Sequence, residues 1–220
     1  MLGSIVGKLL HHGVQTVVHH PRAVGAIGEQ RVQWELSRLS PEYKLFHDLL
    51  LPRKNRETSQ IDHVVVSRTG IFVVESKNYH GMVSGRGDEK YWLHQAGTER
   101  HPFYNPIWQN HGHIQVLRDL LGDEQPSVYV NLVVFGNGAR LNVQARERVW
   151  YMNELRDAIE SYRTVRMEKG AVNEIVKHLN EVRLSGYGTR MRHRRRVNIS
   201  VDKNGQSGKS AAEKCNFIVK

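Results

Sequence analysis

Two short apolar runs in this chain carry charges at their ends. Gln60-Ile61-Asp62-His63-Val64-Val65-Val66 and Gly70-Ile71-Phe72-Val73-Val74-Glu75-Ser76-Lys77 predict two strands joined by a turn at Gly70. Residues i and i+2 of a strand share a face, so Glu75 and Lys77 point one way and Ser76 the other, and the first strand brings Asp62 alongside. Continuous apolar runs mark both strands as buried, where terminal charges are costly unless a metal or partner compensates them. Two carboxylates and an ammonium converging there predict a divalent-ion site. Phosphodiester hydrolysis needs an activated water, stabilised phosphoryl oxygens and a protonated leaving group, and a carboxylate-bound Mg²⁺ or Mn²⁺ supports the first two. Asp62 and Glu75 are the candidate ligands. Lys77 is the candidate to touch the phosphate and to orient the water, or to deprotonate it if desolvation lowers its pKa. The spacing equally suits an ordinary ion pair at a sheet end.

The flanking segments supply the elements that must hold this hairpin. Ala23 to Leu39 reads as a helix closed by Ser40-Pro41, and Tyr43 to Leu51 as a strand. Asn78 to Gly87 reads as a turn-rich connection, followed by a short strand at Lys90 to His94 that extends the sheet. Asn105-Pro106 opens a helix with apolar Ile107, Ile114, Val116, Leu117, Leu120 and Leu121, ending at Gly122. Ser127 to Phe135 is a strong buried-strand signal and Val149 to Met152 a weaker one. Helices follow at Asn153 to Ser161 and Lys169 to Leu184. Helices around a mixed central sheet make an α/β or α+β domain of residues 22–184.

The 220 residues carry a formal net charge of +10, which predicts a polyanionic partner. The single cysteine, Cys215, excludes an internal disulfide and a cysteine-based zinc ribbon, and fits a reducing cytoplasm. No stretch has the apolar length of a membrane span, and neither export nor a membrane anchor is expected. Residues 1–21 form an N-terminal extension whose Leu2 to Val18 segment has the spacing of an amphipathic helix, expected to pack on the domain. Residues 185–220 form a basic tail whose composition predicts disorder. Its Arg190, Arg192, Arg194, Arg195 and Arg196 either solubilise the terminus or neutralise phosphates without sequence preference. Trp92, Tyr104 and Trp108 suit either core packing or stacking on bases of a single strand. His63 follows Asp62 and so points to the other face, as a packed core histidine. No Gly-rich phosphate loop and no Ser-His-Asp or Cys-His set is present.

Asp62 with Glu75-Ser76-Lys77 resembles the PD-(D/E)XK nuclease motif, with Ile61 in place of the usual proline. More specifically, Gly25-Ala26-Ile27-Gly28-Glu29, Gln60 to Val66, Gly70 to Lys77 and Asn105-Pro106-Ile107-Trp108-Gln109 together resemble the nuclease-related domain over about residues 22–122. The resemblance implies a restriction-endonuclease-like α/β fold, a central mixed β-sheet flanked by helices with the active site at one sheet edge. It adds Glu29 as a further carboxylate near the metal. Gln109 and His113, one helical turn apart, are similar to the QxxxY element of Mrr-like nucleases, with His113 in the tyrosine position. Gln109 is then expected to bond a site carboxylate or a metal-bound water, and His113 to meet a phosphate. The expected function is a Mg²⁺- or Mn²⁺-dependent nuclease acting on DNA, with RNA as the alternative substrate and a homodimer as one way to cut two strands. Its rivals are a non-catalytic nucleic-acid binding module of the same fold and, less favoured, a membrane-associated protein acting through Leu2 to Val18.

Overall fold

The computed structural model describes residues 21–54, 57–122, 128–145 and 148–185. The N-terminal Leu2 to Val18 segment, the Arg190 to Arg196 cluster and Cys215 lie outside the described residues. The architecture is α/β, with two mixed sheets and helices packed on both faces of the larger one.

The larger sheet has strand order β1-β2-β3-β7-β9, from Lys44–Pro52 (β1), Thr58–Ser67 (β2), Gly70–Lys77 (β3), Tyr129–Phe135 (β7) and Arg148–Tyr151 (β9). β1, β2 and β3 pair antiparallel, whereas β7 runs parallel to both β3 and β9. The long connection from β3 to β7 carries Pro106–Leu121 (α2), which packs back on the sheet as a parallel crossover requires. Ile71 and Val73 of β3 pack with Ile114 and Leu117 of α2 and with Val172 and Leu179 of Lys169–Val182 (α4). Phe72 and Val74 face the other way, against Val32 and Leu36 of Pro21–Ser37 (α1) and Leu155 and Ile159 of Leu155–Glu160 (α3). Strand alternation therefore puts Glu75 and Lys77, which continue the Ile71–Val73 face, on the α2 side.

The smaller sheet, order β6-β5-β4-β8, corrects two expectations. The connection after Lys77 contains a strand, Gly81–Arg86 (β4), and Tyr91–Ala96 (β5) joins a separate sheet instead of extending the central one. Glu99–Tyr104 (β6) and Ala139–Gln144 (β8) complete it. The parallel pair β3–β7 breaks and continues as the parallel pair β4–β8, with Gly136 N–H bonding Lys77 O (2.9 Å) and Gly81 N–H bonding Gly138 O (3.2 Å) across the break. At the joint Asn78 is wedged between Gly28 and Gly136, and a Cβ on either glycine would collide with it. Both strands thus step together from one sheet into the next immediately beyond the charged end of β3.

Candidate active site

The C-terminal end of β3 and the first two turns of α2 build the site. Asn105, fully buried, caps α2 by accepting from Ile107 N–H (2.9 Å), while its Nδ2 donates to the carbonyls of Arg86, Gly87 and Glu89. Pro106 follows at the helix start, where its missing N–H costs nothing. Deeper in the helix, Asn110 Nδ2 donates to Val73 O (2.7 Å), Leu132 O (3.2 Å) and Asn131 Oδ1 (2.8 Å), and Asn131 Nδ2 donates back to Ile107 O (3.0 Å). This fully buried amide fixes the height of α2 over β3 and β7.

With α2 so placed, Gln109 and His113 face the charged end of β3. Lys77 Nζ donates to Glu75 Oε1 (2.6 Å) and Gln109 Oε1 (3.1 Å). His113 Nε2 lies 3.5 Å from Glu75 Oε2, and its Nδ1 is 3.0 Å from Ser59 Oγ. The group is inside the protein, since side-chain exposure is 2% for Glu75, 13% for His113 and 19% for Lys77.

Asp62 reaches the site by a different route from the one that simple alternation predicts. The β1–β2 ladder skips the Asp48–Asp62 position, and Asp48 has φ +50°. In both strands the inward set slips by one there: Phe46, Leu49 and Leu51 share one side, as do Ile61, Val64 and Val66. The local break lets Asp62 Oδ2 accept from Ser76 N–H and Ser76 Oγ, each at 3.0 Å. Burial, followed by the charge of Glu75, pushes the Asp62 carboxyl up to about 6 against the opposing Ser76 bonds.

Lys77 shows the opposite balance from that required of a general base. Burial is the largest single influence and would lower its pKa, but the charge and hydrogen bond of Glu75, with Tyr79 and Asp62 adding to them, together outweigh it and hold Lys77 above the usual lysine range. Glu75 mirrors it: burial opposes ionisation, and Lys77 with the His113 contact overrides burial and holds the carboxyl below the usual range. The lowered pKa on which a water-deprotonating lysine depends is therefore not met in this structure, where Lys77 is held as a cation.

The remaining expectations divide. Glu29 is exposed on α1, one residue from Gly28 at the Asn78 wedge. The three-carboxylate set with Asp62 and Glu75 does not close, because among the described residues no three His, Cys, Asp or Glu side chains are gathered closely enough to hold an ion. His113 meets Glu75 and Ser59. His63 is buried at 1% exposure, with Nδ1 2.9 Å from Nδ1 of its ladder partner His47. Trp92 is a core residue, whereas Tyr104 and Trp108 are exposed. Ser59, Ser76, Asn110 and Asn131 escaped sequence reasoning. Asn110 alone left a signal: it interrupts the apolar stripe Ile107, Ile114, Leu117 at a position one turn from Ile107.

The Asp62 and Glu75 carboxylates are oxygen donors of the type that a hard divalent cation takes. Burial beside Glu75 pushes the Asp62 carboxyl up to about 6, and Glu75 Oε2 is buried with only His113 Nε2, 3.5 Å away, beside it. A cation with oxygen ligands would relieve both. No described helix is long and apolar enough to cross a membrane.

The nuclease-related domain model matches residues 24–136, over half of the chain and inclusive of Glu29, Asp62, Glu75, Lys77, Gln109 and His113. An uncharacterized protein of Bacillus anthracis is 34% identical over 166 residues, covering 73% of this chain and 76% of that protein. No solved structure matches significantly. A hairpin ending in Asp62 and Glu75-Ser76-Lys77, faced by Gln109 of a capped helix within this matched span, places the chain in the nuclease-related domain family.

Proposed function

We propose that the chain is a Mg²⁺- or Mn²⁺-dependent nuclease that hydrolyses DNA phosphodiester bonds, with a catalytic domain of residues 22–184 working in the cytoplasm. The observation that carries this reading is the Lys77 ammonium, fixed between Glu75 Oε1 and Gln109 Oε1 at the end of β3, with Asp62 on the adjacent strand. Asp62 and Glu75 would hold the cation, with waters completing its shell. When bound, the metal supplies Lewis-acid activation of water and charge neutralisation at the phosphoryl group.

The chain's own residues perform the rest. Lys77 presents a fixed positive charge to a phosphoryl oxygen, and Gln109 limits its rotation so that little reorganisation accompanies charge development. His113, braced by Ser59, faces the second oxygen of Glu75 and favours its ionised form. Ser76 holds Asp62 by two bonds without protonating it. Arg190 to Arg196 would add salt-sensitive affinity for the phosphate backbone, and a homodimer would present two such sites to opposite strands.

The test is incubation of supercoiled, linear duplex and single-stranded DNA, and RNA, with the purified full chain in Mg²⁺, Mn²⁺ or EDTA, beside Asp62→Asn. Metal-dependent DNA cutting lost in the folded variant is expected. No cutting of any DNA form by folded protein in either metal would overturn the reading.

A second reading, a binding module without catalysis, draws on a specific observation: Glu75 is already neutralised by Lys77 inside the protein. Salt-dependent binding of DNA, unchanged by Asp62→Asn and unaccompanied by cutting, would favour it.

A further inference from the structure

Three exposed aromatic rings form a continuous run that ends at the residue before Gln109. Tyr91 and Tyr104 are ladder partners on β5 and β6, exposed at 51% and 41%, with ring centroids 6.2 Å apart. Trp108, 37% exposed on the first turn of α2, stands edge-on to Tyr104 at 6.4 Å. The Trp108 end of the run is tied down. Trp108 Nε1 donates to Gly87 O (2.9 Å), and Asn105 ties the same turn to the helix start. Lys90 Nζ lies 5.4 Å from the Tyr91 ring centroid, adding positive charge at the far end. The neighbouring acids are engaged locally, Asp88 by the Arg86 guanidinium (3.1 Å) and Glu89 by the Arg86 backbone N–H (3.1 Å).

The other end of the run leads to the chemistry. The residue after Trp108 is Gln109, whose side chain holds Lys77. Rings of this size left in water lose apolar burial that a partner with flat faces would restore, and a base offers such a face only when it is unpaired. A duplex stacks its bases on one another and presents phosphates and groove edges instead.

We infer that Tyr91, Tyr104 and Trp108 form a stacking platform for unpaired bases, so that the substrate is a single-stranded segment of DNA whose backbone passes from Lys90 along the rings to Lys77. The delivery of that strand to the site rests on the nuclease reading, but the stacking itself is measurable without it. Base stacking on aromatic side chains is sequence-tolerant, so the platform confers strandedness preference and little sequence preference.

The experiment measures fluorescence anisotropy of a labelled mixed-sequence oligonucleotide and of its blunt duplex with the full chain in EDTA, where no metal-dependent cutting occurs. Wild type, Tyr91→Ala/Tyr104→Ala and Tyr91→Phe/Tyr104→Phe are compared. The expected result is tighter binding of the single strand, weakened about tenfold per ring removed, with duplex affinity unchanged and the phenylalanine variant close to wild type. The basic tail attracts both forms, so the single-strand to duplex ratio is the readout. A ratio unmoved by alanine, or a fall shared equally by duplex and single strand, overturns the platform. If the ratio moves but no DNA is cut in Mg²⁺ or Mn²⁺, the nuclease reading falls and the platform stands. If DNA is cut and the ratio does not move, the platform alone falls.

Discussion

Glu75 Oε1 and Lys77 Nζ lie 2.6 Å apart on one face of β3, and only 2% of the Glu75 side chain is exposed. A buried pair of this kind is sensitive to the removal of one partner, because the other charge is then left without compensation. Lys77→Met should cost about 3–5 kcal/mol in urea denaturation, and Lys77→Met/Glu75→Gln should recover a large part of it. A loss below about 1 kcal/mol in the single variant, the range of exposed pairs, would show that the pair is solvated. The same result explains why Asp62→Asn, and not a Lys77 variant, is the cleaner probe of catalysis.

Asp62 has a folded pKa of about 6 against an ordinary 3.8, so the native state binds the extra proton more tightly than the unfolded chain does. Its favourable contribution is present in full below pH 3.8 and is lost as pH rises through 6. Asp62→Asn keeps an oxygen to accept from Ser76 and removes the charge. Without metal it should raise stability by about 1–3 kcal/mol at pH 8 and leave it nearly unchanged at pH 4. Thermal melts at the two pH values check this, and a destabilised variant at pH 8 would contradict the electrostatics assigned to Asp62.

The His47–His63 contact predicts acid sensitivity of the opposite sign. Burial, with the neighbouring His47 adding to it, lowers His63 to about 3, and burial lowers His47 as well. Neutral imidazoles are favoured in the fold, so this stability is present above pH 6.5 and is lost as pH falls toward 3. Unfolding free energy should fall over that window with a slope of about one to two protons, and His63→Leu should flatten it. A slope unaffected by the substitution would remove His63 from the acid response.

Asn110 contacts none of the charged site residues, yet its amide sets where α2 sits. Asn110→Ala leaves Val73 O and Asn131 Oδ1 without this donor in the interior, at a cost of about 1–3 kcal/mol. Because Gln109 and His113 ride on the same helix, divalent-ion affinity measured by calorimetry should fall too. Retained affinity in a destabilised variant would separate helix placement from the site.

The linear chain determined the elements whose patterns are complete within themselves. The apolar runs of β2 and β3 read as buried strands at sight, Asn105-Pro106 and Gly122 bracket α2, and the i, i+2 and i, i+4 spacings put Glu75 beside Lys77 and Gln109 beside His113. The motif order carries the resemblance to the family, and the basic composition points only to a polyanionic partner. Tertiary structure alone decided the rest. β4, β6 and β8 are short and polar or interrupted by glycine; β4 and β8 are strands because they continue the paired β3 and β7 past the Asn78 wedge, and β6 because it pairs antiparallel with β5. Asp62 reaches Ser76 because alternation slips opposite Asp48, a backbone event that residue types do not announce. The Lys77 charge state, too, belongs to the fold. Its burial arises only once α2 has packed on β3, and against that burial Glu75, 2.6 Å away, acts with Tyr79 and Asp62 to hold the charge.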